Sequence, residues 1–289
     1  MIHTGRHFLQ IPGPTNVPDR ILRAMDSPVI DHRSPEFAEL GKEVLEGVRA
    51  VFKTAGPVVM YPASGTGAWE AALVNTLSPG DHVILFETGH FSSLWRGIAE
   101  KFGIKVDYVP GNWRRGASAT ELESRLTADR GHAIKAVLVV HNETSTGVTS
   151  RIPEVRRAID AAKHPALLLV DTISSLASID YRHDEWGVDV TIAGSQKGLM
   201  LPPGMSFNAL SEKALRASLP RGDRAAGKYF QGLLRASCAA PRATRREDWS
   251  AAYTEKIHCD SASTFPASPS RSVASGHFRL LAAPFPKPR

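Results

Sequence analysis

The sequence predicts an α/β fold: a mostly parallel sheet flanked by helices. Three features lead there. Short apolar runs alternate with stretches of helical periodicity from about residue 58 to residue 209. One run, Leu167-Leu168-Leu169-Val170, is continuously apolar. Polar, glycine-bearing clusters follow the apolar runs at their carboxyl ends. Alternating strands and helices make layered α/β structures. A strand apolar at every position is one buried on both faces.

The elements follow in order. The opening IPGPTNVP is turn-rich and reads as an extended arm. A short helix is expected at 19–25. Over 35–52, Phe37, Leu40, Val44, Leu45, Val48 and Val51 recur at three- and four-residue spacing, which predicts an amphipathic helix with one buried face. Strands are expected at 58–61, 82–86, 105–109, 136–141, 166–171 and 188–193, with a last one at 206–209. Helices are expected at 67–77, 92–102, 120–128 and 153–163. The organisation is an arm (1–17), a large domain (18–219) and an atypical basic tail rich in Ser, Pro and Arg (220–289) that lacks periodicity.

Composition excludes several classes. With 42% hydrophobic and 22% charged residues, a core is available without disulfides or structural metal. The two cysteines, Cys238 and Cys259, form no C-x-x-C pair and read as free thiols of a cytoplasmic protein; no metal is expected. The N-terminus lacks a signal-peptide core, and no run approaches the roughly 20 apolar residues of a membrane span. The net charge of +6 is uneven: residues 216–289 hold 13 Arg or Lys against five Asp or Glu. These charges are scattered without interleaved aromatics, so no nucleic-acid partner is expected.

Chemistry is sought at the strand ends, where open sheets bind ligands. Ser64-Gly65-Thr66-Gly67 opens a helix after the first strand. Small residues there let backbone N–H groups reach an anion, which makes a phosphate cradle. No Gly-Lys-Ser/Thr follows, and Glu70 stands where a dinucleotide fingerprint needs its third glycine. A capped glycine turn is the alternative. Asp171 ends the LLLV strand, a costly place for a carboxylate unless it is paired. It reads as the partner of a protonated pyridine nitrogen or as a turn residue. Lys197 follows the 188–193 strand and reads as a Schiff-base lysine or as a loop residue at the surface.

Taken together, PGPTNVP, PASGTGAWEAALVN, HNETSTGV, LLLVDTISSL and AGSQKGLMLPPG resemble the class V aminotransferases, a fold-type I family that uses pyridoxal 5'-phosphate. They are most similar to its serine–glyoxylate and alanine–glyoxylate branch. The resemblance spans roughly residues 5–219. It implies that Lys197 bonds the cofactor and moves the reaction's proton, and that Asp171 pairs with the pyridine nitrogen. It further implies that Ser64, Gly65, Thr66 and Gln196 hold the phosphate, that Thr144 contacts the ring-oxygen region, and that Phe91 stacks on the ring. The implied reaction moves an amino group from serine or alanine to glyoxylate, giving glycine and a 2-oxo acid, in a homodimer. A non-catalytic cofactor-binding protein is the alternative.

The resemblance stops near residue 219. The family's smaller C-terminal domain, its carboxylate-clamping arginine and a Tyr-x-x-Thr segment are not found, and that domain reads as missing or replaced. Arg235, Arg242, Arg245 and Arg279 carry no supporting motif. The Ser/Pro/Arg-rich ending is read as a shifted reading frame in a GC-rich gene, with a genuine alternative tail as the other reading.

Overall fold

The computed structural model describes residues 8–218, all within a compact unit spanning Met1–Thr244. The expected tail, the four arginines named above and both cysteines lie outside the described residues.

After the extended arm come α1 (Asp19–Met25) and α2 (Pro35–Phe52). Then follow β1 (Val58–Pro62), α3 (Gly65–Thr76), β2 (His82–Phe86), α4 (His90–Lys101), β3 (Lys105–Val109) and α5 (Ala119–Ala128). The described part is completed by β4 (Ile134–Val140), α6 (Ile152–Ala161), β5 (Leu167–Asp171), β6 (Val190–Gly194), β7 (Met205–Leu210) and α7 (Glu212–Ser218). The expected α/β class is the one observed. Boundaries differ by one or two residues, and α7 was not expected from the sequence.

The strands form one seven-stranded sheet in the order β1-β7-β6-β5-β4-β2-β3. Strands β3, β2, β4, β5 and β6 run parallel, while β7 lies antiparallel between β6 and β1. Because β7 opposes both neighbours, β1 points the same way as the parallel strands. The carboxyl ends of β1, β2, β4, β5 and β6 therefore share one edge of the sheet.

β5 lies at the middle of the sheet, and all five of its residues are buried. Leu168 and Val170 belong to one apolar cluster, Leu167 and Leu169 to the other. Alternate side chains thus feed the two faces, which is why the run is apolar throughout. On the first face, Leu122, Leu126, Ile152, Val155 and Ile159 of α5 and α6 pack against the sheet. On the second, α3 and α4 bring Trp69, Leu73 and Trp95. Trp95 is fully buried and stacks on Trp69 at 5.7 Å between ring centroids, 13° from coplanar.

α2 departs from expectation. Ser34 caps it through Phe37 N–H, and its apolar positions recur as predicted, but within this chain the stripe is not buried. Phe37, Leu40, Val44 and Val51 are each about two-fifths or more exposed, and Phe52 is the helix's one buried residue. Helical periodicity fixes which positions share a face. It does not supply the surface that covers them.

The Trp69–Trp95 stack holds α3 against α4 directly behind the sheet edge. Trp95→Ala should lower unfolding free energy by about 3–5 kcal/mol. Urea denaturation of the two chains checks this.

Candidate functional site

Residues far apart in sequence converge at the shared sheet edge. A cavity of about 220 Å³ is lined by Gly13, Ser64, Gly65, Thr66, Trp69, Phe91, Asn142, Thr144, Asp171, Ile173, Ser174, Gln196 and Lys197. All eight site residues singled out in the sequence are among them. Gly13, Trp69, Asn142, Ile173 and Ser174 were not.

One wall is the start of α3. Ser64 occupies the N-cap in extended conformation, yet its hydroxyl caps no helical N–H. It therefore stays available beside the unpaired N–H groups of the helix start. Gln196 reaches the same place: a Cβ built on Gly194 would lie 3.1 Å from Gln196 Oε1 and 3.6 Å from Gly65 N. Gln196 Oε1 is buried and has no hydrogen-bond partner. A buried amide end facing helix N–H groups suits a bound anion, to which the amide's N–H₂ end would be turned.

The floor is the end of β5. The Asp171 carboxyl is buried and accepts from Ile173 N–H at 2.7 Å. The Trp69 indole N–H also faces it, outside regular hydrogen-bond geometry. Burial pushes the carboxyl up to about 7, with the charge of Glu143 adding to the rise; Ile173, Trp69 and Lys197 act against it.

The Lys197 amine is half-buried. Burial lowers its pKa below the usual lysine value, and the Asp171 charge partly restores it. Its Nζ donates to the carbonyl of Pro12, so the arm lies over the lysine. Thr15 fastens the arm there through its N–H to Gln196 O at 2.9 Å and its hydroxyl to Lys197 O at 3.2 Å. Gly13 adopts φ +112°, and a Cβ on it would come within 2.6 Å of the Lys197 side chain, so only glycine fits. The motif PGPT was visible in the sequence. Its closure over a lysine nearly 200 residues away was not.

Phe91 sits half-buried in the first turn of α4, and Thr144 lies in the loop after β4. His141, next to that loop, is a core residue: its Nδ1 meets Ser175 Oγ at 2.9 Å, and its ring packs on Tyr181 and Trp186. Burial pulls it down to about 4, which keeps it neutral at neutral pH. Among the described residues no group of side chains could hold a metal ion, and no helix is long and apolar enough to cross a membrane.

The raised Asp171 carboxyl makes a prediction for the empty chain. The folded state keeps this proton to higher pH than the unfolded one, so its contribution to stability is lost as pH rises from about 4 through about 7. Buried His141 and His183, both near 4, act oppositely and strengthen the fold as pH rises toward the ordinary histidine value. Asp171→Asn removes the first effect alone. Its melting temperature should match that of the parent near pH 4 and exceed it increasingly up to pH 8. Thermal melts across this range check the sign.

Comparison with known proteins shows the family to which the chain belongs. The family model for "Aminotransferase class-V" matches residues 7–231. The chain is 52% identical over 230 residues to the serine–glyoxylate aminotransferase of Methylorubrum extorquens, covering 78% of this chain and 57% of that protein. It is 51% identical over 215 residues to the L-aspartate–glyoxylate aminotransferase of Paracoccus denitrificans, covering 74% and 54%. The crystal structure of an alanine–glyoxylate aminotransferase from Nostoc sp. superposes with a TM-score of 0.75 at 29% identity, covering 89% of this chain and 68% of that one. The chain thus spans a little over half the length of these curated relatives.

Proposed function

Since the chain belongs to the class V aminotransferase family, which uses pyridoxal 5'-phosphate, we propose that the cavity holds this cofactor and that Lys197 bonds it covalently. The observation that carries the reading is the meeting of Asp171 and Lys197 in one cavity, beside a helix start and an unpaired buried amide. The proposed reaction moves an amino group from a small amino acid to glyoxylate, giving glycine and a 2-oxo acid. Serine and alanine are the donors expected from the sequence. The named activity of the Paracoccus relative adds aspartate as a third donor to be tested.

Each residue has a physical part in this reading. The start of α3, with Ser64, Gly65 and Thr66, and the Gln196 amide would hold the phosphate. Asp171 would pair with a protonated pyridine nitrogen, whose charge would favour the carboxylate form against the effect of burial. Phe91 would cover the ring and keep its face fixed, while Thr144 would contact the ring-oxygen side. When bound, the cofactor supplies the electron delocalisation that makes an α-proton removable. The lowered pKa of Lys197 increases the share of neutral amine, the form that attacks a carbonyl and then accepts or returns a proton. The Pro12 carbonyl holds the amine until then. The homodimer belongs to the same proposal.

The test is covalent. The purified chain, mixed with pyridoxal phosphate and reduced with borohydride, should carry the pyridoxyl group on Lys197 by peptide mapping, and Lys197→Ala should carry none. Serine, alanine or aspartate should then bleach the visible band of the unreduced chain, and glyoxylate should restore it. A label on another lysine, or no band, would contradict the cofactor site. A labelled Lys197 with no bleaching by any donor would leave a cofactor-binding protein without turnover.

A further inference from the structure

We propose that Glu143 is a positioning residue: its buried carboxylate ties the first turn of α4, which carries Phe91, to the loop that carries Thr144. This rests on the cofactor reading above, because both tied residues face the ring.

Glu143 is fully buried, and every donor it faces is a neutral N–H or O–H. Oε1 accepts from Phe91 N–H at 3.1 Å, Ser145 N–H at 3.2 Å and Ser145 O–H at 2.7 Å. Oε2 accepts from Ser92 N–H at 3.1 Å and, at 3.5 Å, Thr88 O–H. Two consecutive N–H groups of the α4 start therefore end on one carboxylate, where the helix field also favours negative charge. The neighbouring bonds tighten the same seam. Ser145 Oγ accepts from His90 N–H at 2.9 Å, and Thr146 O–H donates to Thr88 O at 3.2 Å. Gly89 leaves the room this needs: a Cβ there would lie 2.6 Å from Glu143 Cγ and 2.5 Å from Ser145 Oγ.

The carboxylate form matters because all five contacts are accepted. In Glu143→Gln one end becomes N–H₂. It then faces either the Phe91 and Ser145 donors or the Ser92 donor, so donor meets donor. The volume hardly changes, yet the start of α4 loses its anchor, and Phe91 and Thr144 lose their fixed spacing across the ring. The phosphate end, held by α3 and Gln196, has no part in this seam.

That separation supplies the test. Dissociation constants for pyridoxal phosphate and for inorganic phosphate are measured on the parent chain and on Glu143→Gln, with visible circular dichroism reporting the bound ring's orientation. Glu143→Gln should weaken pyridoxal phosphate about tenfold and reduce the visible dichroism, with phosphate affinity unchanged. Ser145→Ala, a milder change that removes one hydroxyl of the seam, should act in the same direction to a smaller extent. It decides the matter if Glu143→Gln does not fold. Parental cofactor affinity and dichroism in the folded variants would overturn the role of Glu143, as would equal weakening of cofactor and inorganic phosphate, which signals general loosening. A parent chain that shows no visible band overturns the cofactor reading itself, and this role with it.

Discussion

The site turns on one costly feature: a carboxyl group buried at the end of the central strand. β5 is apolar at every position before Asp171 because both of its faces are covered. The chain then places an acid at a nearly buried position on the cavity floor, with Ile173 N–H as its one regular hydrogen-bond donor among the described residues. Such a group favours the neutral form until a cation arrives. Lys197 is too weakly coupled to cancel the effect, and Glu143 adds to it. An acid held in this way weakens the fold as it ionises, and under the proposed function a protonated ring nitrogen would favour its charged form. The strain and the proposed function are thus two aspects of one interaction.

The sheet makes the rest of the site possible. Parallel strands deliver their carboxyl ends to one edge, so α3, α4, the loop after β4, the turn after β5 and the Lys197 turn all meet there. Meeting does not by itself fix positions to fractions of an ångström. Polar seams between loops do that: Glu143 between the α4 start and its own loop, and Pro12 and Thr15 between the arm and the lysine turn. Behind them the Trp69–Trp95 stack gives α3 a rigid backing.

Much of this was legible in the sequence, for local reasons. Apolar runs mark buried strands, and the polar clusters after them mark the functional edge, so Ser64, Asp171 and Lys197 stood out without coordinates. What escaped depends on long-range contact. Glu143 sits in the polar run HNETSTG, and nothing local to that run shows that its carboxylate meets a ring of buried donors. Trp69 is not singled out by the sequence, because only the fold brings its indole toward Asp171. The α2 stripe was read correctly as a face but wrongly as buried, since periodicity does not say whether anything lies against it. Gly13 lies in a turn-rich segment; its φ of +112° and the Lys197 side chain packed against it appear only in the fold.

The proposed site depends above all on the ionisation of Asp171. Carboxyl-selective carbon NMR, assigned with Asp171→Asn, measures it in the empty chain and in the chain loaded with pyridoxal phosphate. Asp171 should titrate near 7 in the empty chain and move well below the ordinary aspartate range on loading. An ordinary titration near 3.8, unmoved by the cofactor, would mean that Asp171 is neither shifted by burial nor paired with the ring.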